Sequence, residues 1–212
     1  MTEAAPPSPA QVRRNRWLLV LLLASFVVPF VVGDLAYKFG WYQGAQTNRG
    51  QLINPPLAFA DLGARDAAGA PVDAAYADGK WWLVYVLPPV CEQACRNRLF
   101  QMRQVRLATG RESDRVRQLV ITTAALPADI DALLRAEFPD FQRLEADAAS
   151  ADRVLAPAAG PAGSAAGLLY LMDPMGWMML SYPPEADEAA SIVKGEDVLK
   201  DLRKLLKASQ IG

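Results

Sequence analysis

The segment from Trp81 to Pro89 constrains the chain most. An apolar run, Trp81-Trp82-Leu83-Val84-Tyr85-Val86-Leu87, is short enough for a strand and apolar enough for a central one, buried on both faces. Two prolines close it, and from Glu92 to Ala108 the pattern turns helical, with Cys95, Leu99, Met102 and Val105 or Arg106 at three- and four-residue spacing. In the turn between strand and helix sits Cys91. Cys91 and Cys95 are the only cysteines of the 212 residues, and the chain has no histidine. A dithiol at the mouth of a strand-to-helix turn is a common seat of thiol redox and soft-metal chemistry. The missing histidine excludes a Ser-His-Asp triad, a histidine zincin site and a histidine-ligated haem. A formal charge of −1 gives no basic field for nucleic acid.

The second strong signal is N-terminal. Trp17 to Val32 carries no charge, and the apolar stretch continues to Tyr37. As a helix, residues 17–37 would span roughly 31 Å, the thickness of a bilayer core. Arg13, Arg14 and Arg16 precede it, whereas Asp34 and Lys38 follow, so the positive-inside rule puts the N-terminus in the cytoplasm. A cleaved signal peptide is the rival, but no small-x-small site follows Val32. Either reading exports the rest of the chain to the periplasm or its equivalent, where a cysteine pair can be oxidised, reduced or metallated. The expected organisation is a cytoplasmic tail (1–16), a transmembrane helix (17–37), a juxtamembrane linker (38–56) and a periplasmic domain (57–212).

Within that domain the pattern predicts a strand over Leu57–Leu62, strands over Lys80–Leu87 and Val116–Thr123, and a helix over Ala128–Phe138. The Ala/Gly/Pro-rich stretch Ala146–Gly167 resists assignment. A hairpin follows, Gly167–Met172 and Trp177–Tyr182 around Asp173-Pro174-Met175-Gly176, and then an amphipathic helix over Gly195–Ile211. Parallel strands joined by helices, with a closing antiparallel hairpin, predict an α/β, thioredoxin-like domain behind one transmembrane helix.

The combination of Gly79-Lys80-Trp81-Trp82-Leu83-Val84-Tyr85-Val86, Cys91-x-x-x-Cys95 and Leu168-Leu169-Tyr170-Leu171-Met172-Asp173-Pro174 resembles the Sco/SenC family. Those are membrane-anchored, thioredoxin-fold, copper-binding proteins that assist cytochrome c oxidase assembly. The resemblance covers roughly Pro56 to Leu206. The run Asn48-Arg49-Gly50-Gln51-Leu52 with Pro55-Pro56, and the segment Met102-Arg103-Gln104-Val105-Arg106-Leu107-Ala108, are similar to a group of bacterial single-span, cytochrome oxidase-associated proteins. Two departures stand out. Arg96 replaces the proline that follows the second cysteine in Sco proteins, and Ala165 lies where their histidine ligand belongs.

The resemblance implies a bacterial inner-membrane protein whose partners are cytochrome c oxidase subunits or other assembly factors. Cys91 and Cys95 are the candidate redox residues and the candidate ligands of Cu(I). Four apart on a helix, their Cβ atoms lie about 5–6 Å apart, close enough for a disulfide or for two thiolates on one soft ion. Thiolates select Cu(I), so the lost histidine weakens a Cu(II) site more. The helix N-terminus, Arg96 and Arg98 should favour thiolate, with Glu92 opposing. A structural disulfide is the plain alternative, although so short a loop gains little from closure. Met172, Met175, Met178 and Met179 are thioether donors by type and core-fillers by habit; Met175, in the turn, is the one to test as a ligand. The arginines from Arg96 to Arg117 read either as a docking face or as a solvated helix face. Whether the pair turns over as an enzyme stays open. The rival function is a non-catalytic assembly factor with a degenerate copper site.

Overall fold

The computed structural model describes residues 9–39, 47–159, 164–185 and 187–209. The chain divides into two compact units, residues 1–47 and 48–212. The first holds one helix, α1 (Pro9–Lys38), long and apolar enough to cross a membrane and without a buried residue. It begins eight residues before Trp17, so the three arginines ride its first turns instead of preceding it. Residues 1–8 of the expected tail lie outside the described residues.

The second unit is a six-stranded mixed sheet in the order β1-β6-β5-β2-β3-β4. Its strands are β1 (Gln51–Ala58), β2 (Trp81–Val86), β3 (Val116–Thr122), β4 (Gln142–Glu145), β5 (Leu169–Met172) and β6 (Trp177–Tyr182). Its helices are α2 (Gln93–Ala108), α3 (Ala128–Glu137), α4 (Ala148–Ala159) and α5 (Glu188–Ala208). Strands β2, β3 and β4 are parallel neighbours, linked in turn by α2 and α3. Both crossovers step the same way along the sheet, so right-handedness sends α2 and α3 to one face. Strands β5, β6 and β1 complete the other half antiparallel.

Strand β2 is central and buried at every residue. Its odd-numbered side chains, Trp81, Leu83, Tyr85 and Leu87, enter one apolar cluster with α2, α3 and α5. The even-numbered Trp82, Val84 and Val86 enter a second cluster with α4 and the 3-10 turn Phe59–Leu62. Period-two alternation thus feeds two cores from one strand. Where Leu57–Leu62 was expected to be a strand, only its first two residues are, because Gly63, at φ 61°, caps a 3-10 turn. Strand β1 instead begins at Gln51, inside the segment expected as linker. Pairing with β6 is interrupted between Leu52 and Leu57, around Pro55 and Pro56, which have no N–H to give. The polar β4 carries no period-two apolar signal, and helix α4 occupies most of the stretch left unassigned.

Helix α5 starts seven residues before Gly195, where Asp187 accepts from the Ala190 amide at 2.7 Å. Gly195 does not start the helix. A Cβ there would stand 3.2 Å from Gln101 Cγ, so the glycine lets α5 close on α2. The Gly195–Ile211 expectation also ran to Ile211, which lies outside the described residues.

The Asn48-Arg49-Gly50 run has a physical reason. Buried Asp201, on α5, accepts from the amides of Arg49 at 2.8 Å and Gly50 at 2.8 Å, and from the Tyr182 hydroxyl at 3.0 Å. Residue 50 is glycine because a Cβ would stand 2.6 Å from the Tyr182 ring. One carboxylate thus joins the entry of β1, the end of β6 and α5. Asp201→Ala strands two buried donors, the Gly50 amide and the Tyr182 hydroxyl, and frees the Arg49 amide, and is expected to cost about 3 kcal/mol in denaturant unfolding. Gly50→Ala should cost about 1–3 kcal/mol, with strong non-additivity in a cycle with Tyr182→Ala.

Burial raises the phenols of Tyr85, Tyr170 and Tyr182 well above the ordinary tyrosine value of 10.0, with Asp152 adding to the effect at Tyr170 and Asp201 at Tyr182. Arg98 works the other way at Tyr85. Below pH 10 these phenols are neutral in both states and the stability is intact. Above it the unfolded chain loses protons that the folded chain keeps, so stability falls as pH rises from 10 towards the folded values. Equilibrium unfolding followed from pH 8 to 11 should show this loss as a stability that falls with rising pH.

Candidate functional site

The candidate site is the turn from β2 into α2. Backbone bonds hold the end of β2 on both sides: the Leu87 amide donates to Ile121 O at 2.9 Å, and the Gly167 amide to Val86 O at 2.8 Å. Pro88 and Pro89 then end the pairing, since neither has an N–H. Beside them, Thr122–Pro127 forms the other wall of a small depression. Glu92 occupies the N-cap of α2 in extended conformation without a side-chain cap. Cys91 lies just outside the helix, and Cys95 in its first turn.

The two sulfurs are joined in a disulfide, with the Cα atoms 5.1 Å apart, inside the usual range of bridged pairs. Their environments differ. Cys95 is 4% exposed and packs into the cluster of Leu99, Tyr85 and Leu87, while Cys91 is half-buried at its margin beside the exposed Val90. Cys91 is thus the more exposed residue of the pair, and Cys95 the buried one. The positive end of α2 favours charge on either.

The two arginines expected to assist are engaged elsewhere. Arg96 pairs with Asp129 at 3.3 Å on the surface. Arg98 is buried and donates to Gln101 Oε1 and to the Pro183 carbonyl. Burial lowers its pKa, with Tyr85 and Glu185 acting in the opposite sense. It ties α2 to the segment after β6 and does not face the solvent, as a docking arginine would.

The donor set of a three-ligand copper site does not assemble. Ala165 is buried in the cluster on the opposite face from Cys95, its amide directed to Asp152 Oδ1 at 3.3 Å. Antiparallel pairing sets Leu169 against Tyr85 and Met172 against Trp82, so the β5–β6 turn with Met175 lies at the far end of β2 from the cysteines. Strand β2 is six residues long, roughly 20 Å. Met175 is therefore no ligand partner of the pair within this fold. Met172 and Met178 are fully buried core-fillers, as their plain reading held. Among the described residues no three or more cysteine, aspartate or glutamate side chains gather around a common point. By donor type the reduced pair fits a soft monovalent ion with two sulfurs, and no cluster of three such donors forms among the described residues.

Sequence reasoning missed the polar face of α2. Asn97, Arg98 and Gln101 are all buried, and the Asn97 Nδ2 amide has no hydrogen-bond partner, although its Oδ1 accepts from Gln93 Nε2 at 2.8 Å. The signal available was polar residues intruding between Cys95, Leu99 and Met102 on a helix whose apolar positions were already assigned.

Residues 81–209 match the family model described as transmembrane-like, thioredoxin-like, C-terminal domain, which is more than half of the chain. The chain belongs to this family. Among solved structures, apo Sco1 from Thermus thermophilus is similar at 19% identity and a TM-score of 0.50, over 76% of this chain and 99% of that one. Yeast Sco1 with copper bound is 17% identical at a TM-score of 0.49, over 78% and 96%. A thiol:disulfide interchange protein from Bacteroides sp. is 15% identical at 0.49, over 76% and 91%. These likenesses concern the fold. No curated protein matches. The thioredoxin-like, Sco/SenC-type fold expected from the strand, dithiol and hairpin order is thus the fold observed.

In the thioredoxin-like domain the exposure difference is directly measurable. After reduction of the full chain, iodoacetamide should alkylate Cys91 at least about tenfold faster than Cys95, read by peptide mass spectrometry over time.

Proposed function

We propose that this protein is a single-pass factor of the bacterial inner membrane, N-terminus cytoplasmic and thioredoxin-like domain periplasmic, that serves cytochrome c oxidase biogenesis by thiol–disulfide exchange at Cys91 and Cys95. The observation that carries this reading is the asymmetry of the pair: Cys91 is half-buried just before a helix N-terminus, and its partner Cys95 is buried in the first turn. In the reduced protein the Cys91 thiolate attacks one sulfur of a partner disulfide, forming a mixed disulfide and releasing the partner's other sulfur as thiolate. The Cys95 thiolate then attacks Cys91 Sγ, closing the intramolecular disulfide and releasing the partner's second thiolate. The partner's disulfide gains two electrons and this pair loses them. The buried position of Cys95 keeps it from competing for the partner while leaving it in reach of Cys91.

Transient Cu(I) handling belongs to the same reduced pair. Cu(I), when bound, supplies a soft cation that can be passed on, and Cys91 and Cys95 would hold it. The rival reading, a non-catalytic assembly factor, is favoured by one observation: among the described residues no third donor gathers with the pair.

Cells producing Cys91→Ser or the Cys91→Ser/Cys95→Ser protein should lose most oxidase activity, and Cys95→Ser should accumulate a mixed disulfide with its partner, visible on non-reducing gels. Full oxidase activity with both cysteines replaced would overturn the thiol reading in favour of the assembly factor. An anaerobic Cu(I) competition titration of the reduced full chain, beside the double-serine variant, separates copper handling from exchange: equal binding by both removes copper.

A further inference from the structure

Between Trp17 and Asp34, helix α1 carries a single polar side chain, Ser25. Four residues on stands Pro29, inside the helix. A helical carbonyl accepts from the amide four residues later, and proline has no N–H, so the Ser25 carbonyl is deprived of its donor. Measured over residues 17–37, Ser25 lies about 3 Å from the middle of the span, where hydrocarbon offers no substitute.

A proline inside a membrane helix is tolerated where a hydroxyl, an ordered water or a neighbouring helix takes up the freed group. The one hydroxyl available is turned the other way: Ser25 Oγ donates to the Leu22 carbonyl at 2.7 Å. That carbonyl already serves the regular helical bond from the Phe26 amide. The helix thus holds a surplus donor and an acceptor without one on the same residue, and a neighbouring helix can exchange them.

The neighbour that fits is a second copy. Two copies insert in the same direction, so in a parallel pair each Ser25 hydroxyl stands at the depth of the other's Ser25 carbonyl. A helix of another protein would need a donor placed at that depth, whereas a second copy always has one. Pro29 and Gly33 follow Ser25 at four-residue spacing on one face, and the space beside Gly33 is open, which lets two backbones approach. Asp34, about two and a half turns beyond Ser25, and its partner Lys38 at 2.9 Å stand on the opposite face, clear of that contact.

We propose that α1 pairs in parallel with α1 of a second copy, the Ser25–Pro29 faces in contact and each Ser25 hydroxyl donating to the other's Ser25 carbonyl. This interface rests on α1 spanning a membrane and is independent of the thiol chemistry.

The test uses the full chain in the membranes of the cells that produce it, with Cys91→Ser and Cys95→Ser so that one added cysteine is the only thiol. Alkaline carbonate extraction comes first: a chain that it releases does not span, which overturns the span and the dimer together. In retained chain, mild oxidation should join copies through Leu22→Cys, beside Ser25, at least about tenfold faster than through Leu23→Cys on the opposite side, read as dimer on non-reducing gels. Adding Ser25→Ala to Leu22→Cys should slow the joining about threefold or more, and Ser25→Thr should restore it. Pro29→Ala returns the missing amide and should slow it as well, whereas a contact made by small side chains alone would keep its rate. Equal joining at both positions, or joining indifferent to Ser25→Ala and Pro29→Ala, overturns the proposal. Retained chain that forms no dimer overturns it too, leaving the span standing and the Ser25 carbonyl to a helix of another protein.

Discussion

Everything in the compact unit is referred to strand β2. It is the only strand in the sheet that must satisfy a parallel neighbour on one edge and an antiparallel one on the other, while burying both faces. Its alternation splits the interior into two clusters, and each surrounding element is placed by which cluster it closes. Helices α2, α3 and α5 cover the odd face; α4 and the 3-10 turn cover the even one. The disulfide sits where this strand stops. Prolines 88 and 89 end the ladder, and the helix that follows must start with unpaired amides, so the cysteines inherit a positively polarised, partly open position from the backbone alone.

That strand was also the most legible part of the sequence, because seven consecutive large apolar residues bounded by Lys80 and Pro88 leave few alternatives. The β5–β6 hairpin was legible for a similar reason: Asp173-Pro174-Met175-Gly176 allows a tight turn, and Asp173 accepts from the amides of Met175 and Trp177 at 2.9 and 2.8 Å. What failed to show was set by tertiary contact. Strand β1 contains Asn54-Pro55-Pro56, a turn signal by local chemistry, and becomes a strand because it lies on a sheet edge where missing donors cost little and because Asp201 fixes its entry. Helix α4 is built from alanines whose small size lets it lie close to the sheet, a packing reason that hydrophobic periodicity does not weigh.

The cysteine pair was visible from spacing, but its surroundings were not. Distance along the chain made Met175 a neighbour of the hairpin and hence of the site. Strand direction decides otherwise, since an antiparallel β5 carries its turn away from the end of β2 that bears the cysteines. The arginines misled in the same manner. Arg98 follows Cys95 by three residues, yet the helix turns it inward, where it bonds to Gln101 and the Pro183 carbonyl and ties α2 to the return of the chain after β6.

These placements bear on how much chemistry two sulfurs can carry. A metal site needs donors converging on a point, and the fold sends Ala165 to the opposite face and Met175 to the opposite end. Thiol exchange needs less: one accessible sulfur, one held within reach, and a field that favours the thiolate. The turn from β2 to α2 provides these with no contribution from histidine. Among the described residues the pair therefore has no third donor, while what the proposed exchange requires is met at the turn itself. For such an exchange, selectivity would have to come from surfaces beyond the sulfurs, because a disulfide alone does not distinguish one partner thiol from another.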